Sequence, residues 1–338
     1  MKAAALLAII ITLVLLASGC LGNEKDRQTQ TTHCVPPISV DTLSSGSGGL
    51  SSQQTHSSDQ FKIESWAYWL QNASPEVIAE SGFDLVVMDY SRDGSDEKAY
   101  TREEIEEIKK AGVIPVAYIS IGEAEDYRFY WDESWAEKPL EWLGPENPEW
   151  KGNFAVKYWD DGWKRIVFAY LDRIIEQGFS GVYLDKVDEF EYWSDKGYEE
   201  NWTAREMIEF IIEITNYTRS KVGENFLVIP QNGERLLEYD GRLLKVVSGW
   251  ASEDVFYDDL RASPWRNEKL PLLSRVVRAG KFVLVVDYVD DGTDNPENMA
   301  RIRDFVEQAR GKGYIPYAAR TDRELDELVV IPGIQPPR

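Results

Sequence analysis

The sequence predicts an α/β domain closed into a (β/α)8 barrel, on three observations. Eight short apolar segments alternate with helical patterns. About 280 residues follow a polar N-terminal stretch, which is the size of one such barrel. Acidic residues stand directly after the apolar segments, at the strand ends where barrel chemistry sits. A doubly wound open sheet shares this alternation and stays open as the second architecture.

The elements follow in order. Lys2 precedes an apolar run, Ala3 to Ala17, and then Ser18-Gly19-Cys20. This reads as a signal peptide over residues 1–19, shorter in its apolar part than a membrane-spanning helix. The Ala-Ser-Gly-Cys sequence resembles a lipobox, so Cys20 is the expected lipidation site; an ordinary secretory signal with a chance cysteine is the alternative. Residues 20–60 are rich in Ser, Thr, Gln and Gly and form the expected disordered tether, because such a segment buries too little apolar surface to offset its ordering entropy. The tether holds both histidines, His33 and His56, and Cys34, read as an idle thiol.

The barrel is expected over 61–338. Its strands are Ile63 to Trp69, Leu85 to Met88, Ile114 to Ile119, Val182 to Leu184, Phe226 to Ile229, Val246 to Trp250, Phe282 to Val286 and Tyr314 to Ala318. Several are continuous and β-branched, as parallel strands covered on both faces should be. Thr101 to Ala111 opens with a capping-box form and stops at Gly112. Trp163 to Gln177 is amphipathic and closes at Gly178. Thr203 to Val222 repeats the capping form with Thr203 and Glu206, and Pro296 to Arg310 starts with proline and stops at Gly311. Asp322 to Leu328 is expected as a short last helix. Pro264 and Pro271 make the stretch from Val255 to Ala279 less regular.

Composition narrows the chemistry. A net charge of −22 argues against nucleic acid and is compatible with a cationic ligand. From residue 57 onward there is no His and no Cys, which removes Ser-His-Asp and Cys-His catalysis and the usual zinc sites. No phosphate-binding glycine loop follows a strand. No cofactor and no resident metal is expected; carboxylates, tyrosines and lysines must carry any chemistry.

One connection is long: about forty residues lie between Ser120 and Asp161, and loops of that length are usually functional. It carries Trp131, Trp135, Trp142, Trp150 and Trp159 with Tyr127, Tyr130 and Tyr158. They form either a small local core or a platform for sugar rings, with only some of the eight expected to touch ligand.

Carboxylates end six successive strands. The residues there are Asp89 and Tyr90, Tyr118 and Glu123, Asp185 and Asp188, Asn232 and Glu234, Trp250 and Glu253, and Asp287 and Tyr288. Taken singly, an acid after a strand is usually a helix cap; six in succession suggest a ring. In an aromatic-rich cleft such a ring suits glycoside hydrolysis, where one carboxyl protonates the leaving oxygen and a second acts as nucleophile or as base for water.

The segments Val113-Ile-Pro-Val-Ala-Tyr-Ile-Ser-Ile-Gly-Glu123, Phe179-Ser-Gly-Val-Tyr-Leu-Asp185-Lys-Val-Asp188, Val228-Ile-Pro-Gln-Asn-Gly-Glu234 and Glu253-Asp-Val-Phe-Tyr257 resemble the hallmarks of glycoside hydrolase family 114, the endo-α-1,4-polygalactosaminidase-like proteins. The resemblance runs in chain order from about Lys62 to Pro316. It implies a TIM-like barrel acting on an α-1,4-linked galactosamine polymer. Matched to the family's motifs, Asp185 is the implied nucleophile and Glu253 the implied general acid/base, with Glu234 and Glu123 as alternatives for the second role. Asp89, Glu123, Asn232 and Asp287 would line the sugar subsite. The Gln-Asn-Gly-Glu form at strand five departs from the characterised enzymes.

The expected function is therefore a lipid-anchored hydrolase at the outer membrane face, acting on an amino-sugar polysaccharide or oligosaccharide. A carbohydrate-binding lipoprotein without turnover, and a hydrolase using Mg²⁺ or Ca²⁺ near Asp185, Asp188 and Glu189, are the other readings. Asn72, Asn201 and Asn216 head glycosylation sequons.

Overall fold

The computed structural model describes residues 62–337. The signal peptide, the tether, Cys20, Cys34, His33 and His56 lie outside the described residues.

Eight parallel strands form the wall: β1 (Trp66–Tyr68), β2 (Leu85–Met88), β3 (Ile114–Ser120), β4 (Gly181–Asp185), β5 (Leu227–Pro230), β6 (Gly249–Glu253), β7 (Phe282–Asp290) and β8 (Ile315–Arg320). Strands β1 to β5 pair in sequence order, and β6, β7 and β8 likewise. The two sets join where Gln231 bridges Ala251 in parallel and Asn232 N–H donates to Ala251 O. At the other seam the indole N–H of Trp66 on β1 reaches the carbonyl of Ile315 on β8 at 2.9 Å. First and last strands adjoin, so the sheet is a closed barrel and the open doubly wound alternative is excluded.

The barrel is filled rather than hollow. Trp66 packs against Tyr68, Tyr183 and Tyr317 with ring centres 5.7–6.2 Å apart, and Tyr68 meets Tyr183 at 5.2 Å. These residues come from β1, β4 and β8, so their contacts cross the interior. The outer layer comprises α1 (Pro75–Glu80), α2 (Arg102–Lys110), α3 (Asp161–Gln177), α4 (Glu189–Asp195), α5 (Glu200–Val222), α6 (Leu236–Tyr239), α7 (Leu243–Val246), α8 (Arg266–Arg278) and α9 (Pro296–Gly311). Thr101 and Glu104 form the complete capping box at the start of α2, and Gly178 closes α3 in the left-handed region at φ 91°.

Four sequence expectations need correction. The sixth strand lies three residues later than expected, because Leu243–Val246 is the helical turn α7 and not the start of the strand. Helix α5 begins at Glu200, capped by the Glu199 side chain; Thr203 is inside it and donates to the carbonyls of Phe190 and Glu200. The region after Val255 contains a regular helix, α8, with Pro271 inside. No helix forms after β8: Arg323 and Leu325 both take positive φ, which a right-handed helix forbids. Instead the Leu325 carbonyl accepts the N–H groups of Leu70 and Gln71 beyond β1.

The long connection after β3 is an excursion with its own three-stranded antiparallel sheet: Glu123–Glu125 and Leu143–Glu146 both pair with Asn153–Val156. Most of its aromatics pack on one another or on the barrel's helices. Trp131 meets Trp135 and Phe154, Trp135 meets Trp142, and Trp142 meets Trp163 of α3. No helix among the described residues is long and apolar enough to cross a membrane.

Candidate active site

A cleft of about 650 Å³ opens at the C-terminal ends of the strands. Its centre is built by β4. The chain leaves that strand through Lys186, which sits in the left-handed region at φ 60° and whose backbone N–H donates to Asp185 Oδ1 at 2.8 Å. This turn is packed against β3's end: a Cβ on Gly122 would stand 2.1 Å from the Lys186 carbonyl, so only glycine fits there. The Tyr118 hydroxyl donates to Asp185 Oδ2 at 2.6 Å. Burial, and then the charge of Glu253, push the Asp185 carboxyl up to about 7; Lys186 and the Tyr118 bond act against them.

Glu253 ends β6. Its Oε1 accepts the Tyr288 hydroxyl at 2.5 Å and its Oε2 accepts Asn232 Nδ2 at 3.1 Å. Asn232 is held in turn: its Oδ1 accepts the Glu253 N–H at 3.0 Å, and its carbonyl accepts the Trp250 indole at 2.9 Å. The Arg323 guanidinium lies 4.2 Å from the centre of the Tyr288 ring and is itself bound to Asp254, Asp258 and Asp259. Burial, reinforced by carboxylate neighbours, holds the phenols of Tyr118 and Tyr288 well above their ordinary range, so both stay neutral donors.

The other end of the cleft is ionic. Arg128, from the excursion, reaches Asp89 Oδ2 at 2.6 Å and Glu125 Oε2 at 2.7 Å, with its side chain 1% exposed. Glu123 accepts from Asn147 at 2.8 Å and from Asn153 at 3.2 Å and pairs with Lys186 at 3.0 Å. Behind Lys186, the buried Glu189 is pushed up to about 9 by desolvation. Of the excursion's eight singled-out aromatics, Tyr127 and Trp150 line the cleft.

The cleft thus gathers Asp89, Tyr118, Glu123, Asp185, Asp188, Asn232, Glu253 and Tyr288 of the expected set. Four others do not reach it. Tyr90 is fully buried and donates to the Gly94 carbonyl; Asp287 is fully buried and accepts the backbone N–H groups of Val255, Phe256 and Tyr257 at 2.8 Å; Trp250 is fully buried beneath Asn232. Alternation explains this: successive strand residues face opposite sides, so Asp89 and Tyr90, or Asp287 and Tyr288, cannot both point inward. Glu234 lines a neighbouring recess of about 320 Å³, bonded to Ser252. Arg128, Glu125, Tyr68 and Arg323 also line the cleft and were not singled out in the sequence. Tyr68 ends the first strand and the strand-end rule reaches it; Arg128 meets Asp89 across 39 residues of sequence with no local signal. Among the described residues, no group of three or more His, Cys, Asp or Glu is arranged to hold a metal ion.

A closed parallel barrel with an open cleft at its strand ends, where two carboxylates stand among phenol and amide donors, is an arrangement suited to a hydrolase. The profile of glycoside-hydrolase family GH114 matches residues 49–335, and the chain belongs to that family of glycoside hydrolases. It is 62% identical over 267 residues to an uncharacterized protein of Methanocaldococcus jannaschii, covering 78% of this chain and 77% of that one. It is 54% identical over 281 residues to an uncharacterized protein of Thermotoga maritima, covering 81% and 86%. Among solved structures, the glycoside hydrolase domain of PelA from Pseudomonas aeruginosa superposes with a TM-score of 0.62 at 20% identity, over 79% of this chain and 98% of that one. Aspergillus fumigatus Ega3, in complex with galactosamine, superposes at 0.59 and 15% identity, over 81% and 98%. Both share the barrel fold.

Proposed function

We propose that the protein hydrolyses an extracellular amino-sugar polysaccharide of the α-1,4-linked galactosamine kind, with Asp185 as nucleophile and Glu253 as general acid/base. The observation that carries this reading is that both carboxylates face one cleft and each is held by neutral donors alone. The galactosamine complex of Ega3 supports the choice of sugar.

In the first step an Asp185 oxygen forms a bond to the anomeric carbon while the bond to the bridging oxygen breaks and Glu253 gives that oxygen its proton. In the second, Glu253 takes a proton from water, the water oxygen bonds to the anomeric carbon, and Asp185 is released. The pair must hold one proton between them. Burial and the charge of Glu253 raise the Asp185 carboxyl to about 7; a protonated amino sugar beside Asp185 would stabilise its anion. Arg128 bridges Asp89 and Glu125, which ties both acids into a buried ionic cluster away from Asp185 and Glu253.

Anchoring through Cys20 would place the cleft outside the membrane, at the end of the tether. Replacement of Cys20 by Ser is expected to move the protein from the membrane fraction to the soluble one; retention in the membrane would refute the anchor. Asp185→Asn and Glu253→Gln are each expected to lower turnover of galactosamine polymer by about a thousandfold or more while leaving the fold intact. The product should keep the anomeric configuration when followed by NMR. Parent-like cleavage by either variant would refute the assignment, and polymer binding without cleavage by the parent would favour the non-catalytic binder.

A further inference from the structure

The main cleft and the neighbouring recess share three residues: Asp188, Asn232 and Glu253. Asp185 lines only the cleft. Glu253 therefore stands on the ridge between two cavities, while Asp185 belongs to one. An acid that protonates a bridging oxygen must reach a point between two sugars; a nucleophile needs to reach one. Resting on the assignment proposed above, this places the sugar under attack in the cleft and the departing sugar in the recess.

We infer that the recess is the subsite for the leaving side of the chain, and that it selects a sugar carrying a free, protonated amine. Trp265, at the head of α8, lines it and is 54% exposed, which leaves its ring face available to a sugar. Carboxyl groups outnumber cations along its walls. Both cations are engaged: Arg235 with Glu191 and Glu200, and Lys269 with Asn232 Oδ1 and the Glu253 carbonyl. The carboxylates of Asp188, at the shared ridge, and Glu268, one helical turn from Trp265, have no hydrogen-bond or ion-pair partner among the described residues. An ammonium group on a sugar stacked against Trp265 meets the free carboxylate of Glu268 and, at the ridge, that of Asp188, whose charge also acts on Lys186; a ring face and a cation are what an indole favours. An N-acetylated unit would bring neither the charge nor the hydrogen-bond donors.

The test is calorimetric titration of an α-1,4-linked galactosamine tetramer, and of its N-acetylated counterpart, into full-length protein carrying Asp185→Asn. Adding Trp265→Ala is expected to weaken binding of the free-amine tetramer about tenfold, whereas Trp265→Phe should restore most of it. Adding Glu268→Gln should narrow the preference for free amine over N-acetyl several-fold. Unchanged affinity with Trp265→Ala, equal affinity for the two tetramers in the Asp185→Asn protein, or no binding of the tetramer at all would each overturn the inference. Turnover is not the readout. A parent protein that cleaves no polymer would refute the hydrolytic reading, while Trp265-dependent binding would still uphold the recess.

Discussion

The two ends of the cleft treat their carboxylates in opposite ways. At one end Asp89 and Glu125 grip the same guanidinium, and all three side chains are buried. At the other, Asp185 and Glu253 are held only by a backbone N–H, two phenols and an amide. A buried cation held by two carboxylates locks their positions and makes them structural. Neutral donors orient a carboxylate without settling whether it carries a proton, and that freedom is what acid/base and nucleophilic work requires.

Replacing the cation is the severest way to break this contrast. Arg128→Met would leave two buried carboxylates uncompensated, and a loss of about 3–5 kcal/mol in denaturant unfolding is expected. The loss should grow as pH rises, because burial already pushes the Asp89 carboxyl up and removing the cation makes its ionisation costlier still. A loss under about 1 kcal/mol would mean that the ionic end is not built as described.

The next test sharpens the other end. Asp185 is raised from 3.8 to about 7, so between those values the folded protein holds this proton more tightly than the unfolded chain does. Stability from this group therefore falls as pH rises through that window, and the penalty is complete above about 7. Asp185→Asn should remove it: the variant should exceed the parent by a few kcal/mol in unfolding at pH 8 and converge with it below pH 4. The same stability difference at both pH values would show that Asp185 is not strained in the native state.

The smallest expected effect concerns one phenol. Tyr288→Phe removes the donor to Glu253 Oε1 and keeps the ring beneath Arg323. Turnover should fall about tenfold, as for one lost hydrogen bond to a charged group, with melting temperature little changed. An unaltered kcat would place Tyr288 outside the working set.

The barrel was legible in the sequence because its strands are continuous apolar runs punctuated by caps and glycines that depend only on near neighbours. Thr101 with Glu104, and Gly178, act through local backbone geometry alone. The start of β6 was not legible, since Leu243 to Val246 is as apolar as a strand and only its packing makes it a helical turn. At the site, Asp185 and Glu253 followed from the strand-end rule, and both face the cleft. Tyr90 and Asp287 escape that rule because the two-residue alternation along a strand sends every second side chain outward. Arg128 had no such handle: it belongs to the cleft only because a hairpin excursion folds back over β2, and nothing in its neighbourhood announces that contact.

The segment after β8 has a consequence of its own. Arg323, Glu324 and Leu325 form one flank of the cleft, and the Leu325 carbonyl ties that flank to the chain just beyond β1. During synthesis both carboxylates emerge well before these three residues do. A polypeptide clipped ahead of Arg323 would thus keep Asp185 and Glu253 yet offer glycan no side wall to lie against on that flank.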